Sequence, residues 1–399
     1  MRHVFVTQDF GPDLGGMARR HVELCRRFEP DSVAVSTVSA PDAPAFDRGE
    51  RYPIHRQPFP FAGAKRFANQ LRWGRWLGRF CRADRTDVIH CGNVRPAGYP
   101  VWWVHRRQGV PYLVYVNGLD LMREREKAGR SRVKRSTARL ILEGAGGIVA
   151  NSAWTADLAR AVMREAGVAR MPPVAAIDLG TDPACFRPER DTGALRRRLA
   201  IGDAPLLLTV ARLVPHKGQD VALRALALLR PEFPTLRYLI IGRGPDEARL
   251  RSLAAELGVD DLVVFAGALD DDAIAEAYAT ATVYVGLSRA DRVVNVEGFG
   301  ISFVEAGAGG TPSVAGDSGG VRAAVRDGET GLLVPPTDPQ VVAAAIRRLL
   351  ADPACREAMG RAARLAVERH YNWDRVARET LEFTRDVVAR QHTPPAARR

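Results

Sequence analysis

The sequence predicts an α/β fold built from two doubly wound parallel-sheet halves. Three observations carry that prediction. Short apolar runs alternate with amphipathic stretches along nearly the whole chain, the grammar of βαβ units. Glycine-rich turns recur where a run ends and a helical stretch begins, as in "DLGGMARRH" and "VEGFGISFVEA". The chain has 399 residues, long for one core, so two domains of roughly 180–200 residues are expected.

In the first half, "HVFVTQ" reads as a strand and Met17 to Phe28 as a helix. Strand-like runs follow at "SVAVSTV", "DVIHC", "YLVYV" and "GIVAN". In the second half, "PLLLTVA" precedes a helix over Gln219 to Leu229, and "LRYLIIG" precedes one over Asp246 to Leu257. "LVVFAG" leads into Asp270 to Thr280, followed by the runs "ATVYVGL", "PSVAG" and "GLLVPP". The join is expected within "DLGTDPACFRPERD", residues 178–191, rich in Gly, Pro and Asp and without periodicity. The expected division is residues 1–184 and 185–373, then a helix over 374–390 returning to the first domain, then a flexible tail over 391–399.

Hydrophobic content of 46% and charged content of 26% are ordinary for a soluble globular protein. The amino terminus reads as too short and polar for a signal peptide, and no apolar run is long enough to span a bilayer. Five cysteines at scattered positions argue against a zinc site or a disulfide framework and suit a reducing cytoplasm. The net charge of +12 admits nucleic acid, an anionic membrane or a phosphate-bearing substrate as partner. It also fits a composition bias, because all but four of the basic residues are arginine. No aromatic-and-basic module supports nucleic acid.

In an open α/β sheet, ligands bind beyond the carboxyl ends of the strands. After the first strand, Gly15 and Gly16 precede a helix and can admit an anion, or they form a plain turn. After "PLLLTVA", Arg212 and Lys217 flank a proline turn; two long cations there can hold a diphosphate, or the loop is merely solvated. Gly242-Arg243-Gly244 begins like a dinucleotide fingerprint, but Glu247 stands where the third glycine would, which disfavours a nicotinamide or flavin enzyme. Asp270, Asp271 and Asp272 could bind a cation, but acidic residues opening a helix cap it and complement its dipole, and capping is the expectation. The most specific stretch is "VEGFGISFVEAGAGGTP". Gly298 and Gly300 free a turn, Glu297 stands at its mouth, and Glu305 sits one turn into the following helix. Glu305 can accept two hydroxyls of a ribose, or it is an exposed helix residue.

Glu297 and Glu305 within "EGFGISFVEAGAGGTPSVAGDSGG" resemble the signature of family 4 retaining glycosyltransferases of the GT-B fold. "GPDLGGMARRH", "VNGLDL", "VARLVPHKGQD", "LIIGRGP", "VVFAGAL", "DGETGLLVPPTDP" and "HYNWDRV" fall in the family's order, so the resemblance spans nearly the whole chain. Locally the pattern looks most like bacterial members that move mannose or a related hexose. The resemblance implies two Rossmann-like domains facing a central cleft, with the donor on the second and the acceptor on the first. It implies that Arg212 and Lys217 neutralise a donor diphosphate and that Glu305 holds the ribose. Glu297 would sit at the sugar, with the backbone of Gly298, Phe299, Gly300 and Ile301. Gly15, Gly16 and Gly242 would complete the donor site, and Ala268 and Leu269 would read the base. The frequent His-Gly of the family is Asn117-Gly118 here, and Asn117 cannot take a proton. The "GGxxE" pattern reads "GGVRA", with Ala323 at the acidic position.

The expected activity is therefore metal-independent transfer of a hexose, with retention, from a UDP- or GDP-sugar to a lipid, glycan or small-molecule acceptor. No cofactor and no metal are expected. The alternatives are a non-catalytic donor-binding partner protein and a nucleotide-sugar epimerase. The expected location is cytoplasmic, with the inner membrane face a candidate. There, "KRFANQLRWGRWLGRFCR", residues 65–82, would present Trp73, Trp76, Leu77 and Phe80 beside basic residues to an anionic bilayer. The competing reading packs that apolar side on the first domain's sheet.

Overall fold

The computed structural model describes residues 1–12, 15–58, 66–290 and 295–392. Lys65 and the tail over 393–399 lie outside the described residues. The chain forms two compact units: the chain up to Ile177 with the closing helix from Trp373, and Asp178–Asn372.

The first unit holds seven strands: β1 (His3–Val6), β2 (Val33–Val38), β3 (Ile54–Gln57), β4 (Val88–Cys91), β5 (Tyr112–Val116), β6 (Gly147–Ala150) and β7 (Val174–Ala176). They pair in the order β3-β2-β1-β4-β5-β6-β7, and every pairing is parallel. The second unit holds β8 (Leu206–Val210), β9 (Arg237–Ile241), β10 (Val263–Gly267), β11 (Val283–Gly286), β12 (Ser313–Gly316) and β13 (Gly331–Val334). Their order, β10-β9-β8-β11-β12-β13, is again wholly parallel. In both sheets the strand order reverses beside the first strand, at β1/β4 and at β8/β11. A doubly wound sheet opens its ligand crevice at such a switch point.

The central strands read as apolar runs because helices cover both faces. β1, β4 and β6 are buried at every residue. The strands that the periodicity does not announce are the edges. β3 is "IHRQ" and β7 is "VAA", each with one neighbour and mostly half-exposed, so neither needs an apolar run. The helices after β8 and β11 begin at Gln219 and Ile301. In the first, Val221, Leu223, Ala225, Leu226 and Leu229 enter the second unit's core.

The helix Arg66–Asp84 decides between the two readings of its aromatic side. Trp73 and Leu77 are completely buried in the first unit's core, and the Trp73 indole donates to Ser36 Oγ at 2.8 Å. Trp76 stacks on Phe80 with ring centroids 5.2 Å apart, both beside His55. The side expected to meet a bilayer therefore packs inside, because the chain has a sheet face to cover there. Arg72, Arg75 and Arg79 stay exposed. No helix among the described residues is long and apolar enough to cross a membrane.

The closing helix, Trp373–His392, lies on the first unit. Phe383 and Val387 reach Gly147 and Gly146, where a β-carbon would stand 2.7 and 2.5 Å from them. Arg27 Nε binds Asp374 at 2.6 Å.

Leu77→Ala should lower the first unit's stability by about 2–5 kcal/mol, since it leaves a cavity in a closed core. Arg75→Ala should change it by less than about 0.5 kcal/mol. Urea unfolding of the two variants checks this; equal small effects would mean the helix does not pack as described.

Candidate functional site

At the second unit's switch point, three loops meet backbone to backbone, and glycines make the contact. A β-carbon on Gly218 would stand 2.2 Å from the Leu287 carbonyl oxygen, and one on Gly242 2.0 Å from that of Ala211. Gly242 also holds φ at +138°, closed to other residues. Its immediate reason is this close approach, which presses the loop after β9 onto the loop after β8.

The loop after β8 carries Arg212 and Lys217. The Lys217 ammonium reaches Glu297 Oε2 at 2.5 Å, and Ser288 Oγ donates to the same oxygen at 3.4 Å. Lys217 and Glu297 are each about one-fifth exposed, at 22% and 21% of their side chains. Burial would raise the Glu297 carboxyl, but the charge and hydrogen bond of Lys217, Ser288 and nearby His216 hold it below its ordinary range. It is an ionised carboxylate at neutral pH. Glu297's backbone is fixed as well: its carbonyl accepts from Gly320 N at 2.8 Å, and a β-carbon on Gly319 would meet that oxygen at 2.3 Å. The glycine pair of "GGVRA" thus seats Glu297. Ala323 of the same stretch contributes main chain: its N–H donates to Gly320 O at 3.0 Å and its carbonyl accepts from the Tyr371 hydroxyl at 2.7 Å.

Gly298, Phe299 and Gly300 are buried. The Phe299 side chain is 1% exposed and packs near Tyr371, so it presents a ligand only with main chain. Gly300 holds φ at +100° and begins the helix Ile301–Ala308, with Ile301 its first residue. Glu305 lies half-buried on that helix, and the hydroxyl of fully buried Tyr278 donates to its Oε2 at 2.9 Å. Arg212 is exposed, and its carbonyl accepts from Val214 N and Gln219 Nε2, both at 3.1 Å. Ala268 and Leu269 follow β10, exposed and half-exposed. Asp270 caps its helix by accepting from Ala273 N at 2.8 Å. The structure thus joins Lys217 directly to Glu297, leaves Arg212 reaching outward, and gives Glu305 a tyrosine orienter.

Three supporting residues escaped the sequence reading. Ser288 and Tyr278 carry no motif signal of their own. Arg289 binds Asp220 through two parallel bonds of 3.0 Å, and its N–H donates to His216 O at 2.9 Å, locking the loop after β11 to the loop after β8. Only the folded sheet, with its strand ends side by side, brings these together.

In the first unit, the switch point carries carboxylates. Asp9 follows β1; its N–H donates to Thr7 Oγ1 at 3.0 Å, and Asn93 Nδ2 donates to its Oδ2 at 3.4 Å. Asp120 stands in the first turn of the helix Gly118–Arg130 after β5. Its Oδ2 is shut off from solvent and makes no hydrogen bond. Burial first, then the charge of Asp9, push its carboxyl up to about 7. Asp9 is likewise raised by burial. Asn117 precedes that helix half-exposed, and its side chain does not cap it. Gly15 and Gly16 are exposed at the start of the helix Gly16–Arg27, and nothing crowds a β-carbon at Gly15. Asp120 lay within the quoted "VNGLDL", but its burial is a tertiary property with no local signal. Among the described residues, no group of three or more His, Cys, Asp or Glu side chains is placed to hold a metal ion.

Comparison with known proteins adds the following. Residues 14–173 match the model of Glycosyltransferase Family 4, and 191–366 that of Glycosyl transferases group 1. The GDP-mannose-dependent alpha-(1-6)-phosphatidylinositol monomannoside mannosyltransferase of Mycobacterium tuberculosis is 36% identical over 395 residues, covering 96% of this chain and 98% of that protein. The D-inositol 3-phosphate glycosyltransferase of Stackebrandtia nassauensis is 31% identical, covering 96% and 89%. Among solved structures, HepE of Anabaena in complex with UDP superposes with a TM-score of 0.79 at 20% identity, covering 97% of this chain and all of that one. Sucrose-phosphate synthase of Thermosynechococcus elongatus gives 0.79 at 24% identity, covering 98% and 99%.

The Asp120 carboxyl yields a signed pH prediction. It keeps its proton up to about pH 7 when folded, against an ordinary value of 3.8. Between those values the folded protein binds more protons than the unfolded chain, so stability falls as pH rises. Asp120→Asn removes that loss. The variant should match the parent near pH 4 and unfold at a higher temperature by about pH 8, with the gap opening across this range. Paired thermal melts check it; a gap that stays constant with pH would refute the assignment.

Proposed function

Because this chain belongs to family 4 of the GT-B glycosyltransferases, we propose that it moves a mannosyl group from GDP-mannose to an inositol-containing lipid or polyol, with retention and without a metal ion. It is a glycosyltransferase that uses a nucleotide-sugar donor. The choice of mannose and of an inositol acceptor leans on the two relatives named above. The observation that carries the mechanism is the Glu297 carboxylate, held ionised by Lys217 and Ser288 at the second switch point.

An ionised carboxylate can accept a sugar hydroxyl and stabilise positive charge at an anomeric carbon. It cannot donate a proton. Glu297 is therefore an orienter and charge stabiliser rather than a general acid. Lys217 already carries a partner, so its charge is not buried alone before the donor arrives. A donor diphosphate competes for the ammonium, and Arg212, exposed beside it in sequence, supplies the second cation. As the anomeric C–O bond breaks, both cations meet charge that grows on the leaving phosphate. The acceptor attacks the face that the leaving group departs, and its hydroxyl proton passes to that phosphate. Glu305, steadied by Tyr278, accepts the ribose hydroxyls. Bonds and protons balance: one C–O bond breaks, one forms, and the nucleoside diphosphate leaves with the proton.

GDP-mannose should raise the melting temperature, and UDP-glucose should raise it less. GDP release with an inositol acceptor should persist in EDTA, and the product should keep the donor's anomeric configuration by NMR. Lys217→Ala and Arg212→Ala should each lower kcat about 10²–10³-fold with a smaller change in KM. Loss confined to KM would remove the transition-state role, and loss of turnover in EDTA would overturn metal independence.

A further inference from the structure

The first unit carries an apolar groove that the donor chemistry does not use. It has a volume of about 510 Å³, within the roughly 300–1,000 Å³ typical of ligand sites. One wall is the helix Arg66–Asp84 and the other the helix Arg132–Glu143, with the helix Gly98–Gln108 beneath. The two most exposed large apolar side chains among the described residues, Phe67 and Val133, are each 73% exposed, and both line it. Leu71 adds a third, at 42%. Scattered exposed apolar residues need no explanation, but two of this size on facing walls mark a binding surface. Gly74 and Trp103 form part of the floor, and a β-carbon on Gly74 would touch the Trp103 ring at 3.5 Å.

The polar groups around the groove select its occupant. Thr137 Oγ1 already donates to Lys134 O at 3.1 Å, and the Arg95 guanidinium is bound to Glu124. Phe67, Leu71, Val133, Trp102 and Trp103 give the lining long apolar stretches, which suit an alkyl chain better than a peptide backbone. The rim is basic. Lys127 shares Glu124 with Arg95 at 3.3 Å, so two cations stand on one carboxylate, and the Lys134 ammonium adds a third. Gln8 also lines the groove, one residue from Asp9 at the carboxyl end of the sheet. A chain lying in the groove brings its polar head toward that end.

We propose that this groove seats an alkyl chain of an anionic lipid acceptor, with Lys127 and Lys134 meeting its phosphate. The proposal rests on the lipid branch of the acceptor reading above. It differs from adsorption of residues 65–82 onto a bilayer, since Trp73 and Leu77 of that helix are in the core. The bilayer-facing parts are instead Phe67, Leu71 and Val133, with Arg72 and Arg75 beside them on an exposed face that an anionic leaflet attracts.

The test uses the full chain and dihexanoyl phosphatidylglycerol below its micellar concentration, with glycerol phosphate as the headgroup alone. Binding is followed by tryptophan fluorescence in a version of the lipid brominated on its acyl chains. The brominated lipid should quench, Trp103→Phe should abolish most of the quenching, and glycerol phosphate should not bind. Leu71→Gln combined with Val133→Gln should weaken lipid binding at least about tenfold, the loss of two apolar contacts. The melting-temperature rise with GDP-mannose should be unchanged in that variant. Equal lipid binding by the double variant, or binding without quenching of Trp103, would mean charge-driven adsorption and overturn the groove. A missing GDP-mannose effect with intact quenching would instead sink the proposed donor and leave the groove standing.

Discussion

The contact between Lys217 and Glu297 is the one on which the second unit's site depends. Two half-buried charges at 2.5 Å cost desolvation that only good geometry repays, and removing one partner leaves the other stranded. The surrounding main chain exists to supply that geometry. Gly218 lets the lysine loop lie against Leu287, Gly319 and Gly320 hold the glutamate's backbone, and Arg289 with Asp220 locks the loops together. No single side chain in this set is catalytic by its type. What the fold provides is a carboxylate that stays ionised next to a cation able to change partners.

The two units tune their carboxylates in opposite directions. Glu297 is surrounded by a cation and a hydroxyl and stays charged. Asp120 lies buried in its own unit with Asp9 for a neighbour and an oxygen that bonds to nothing, and it keeps its proton to near neutrality. Shifts of this kind collect where polar ligands bind, because a site must hold groups that an ordinary core would pair. Asp120 is then a residue whose hydrogen-bonding role, donor or acceptor, changes close to neutral pH. The deep interior of the same unit solves the problem differently. His3, His90 and Tyr115 form a hydrogen-bonded row at 3.0 and 2.8 Å, and burial keeps the imidazoles neutral.

Much of this was legible before folding. Eleven apolar runs mark strands, since a strand buried on both faces must be apolar throughout. The two that do not show, β3 and β7, are edges freed of that demand. The glycine turn and its two glutamates were legible too, because a left-handed residue such as Gly300 admits few alternatives. The aromatic side of residues 66–84 was ambiguous for a physical reason. An amphipathic helix presents the same periodicity whether its partner is a sheet or a bilayer, and only the burial of Trp73 and Leu77 separates them.

The sequence by itself determined the alternation of strands and helices, and with it two parallel sheets and the strand ends at which Arg212, Lys217, Glu297 and Glu305 would appear. Local backbone needs and hydrophobic period are written residue by residue, so they survive without coordinates. The tertiary structure alone decided who meets whom. It set Lys217 on Glu297 rather than beside Arg212, gave Glu305 its tyrosine, buried Asp120 near Asp9, and left Phe67 and Val133 uncovered across a groove. The Lys217–Glu297 pairing by itself joins residues 80 positions apart. The energies of these pairings arise from desolvation and proximity, which exist only once the sheets have brought the strand ends together.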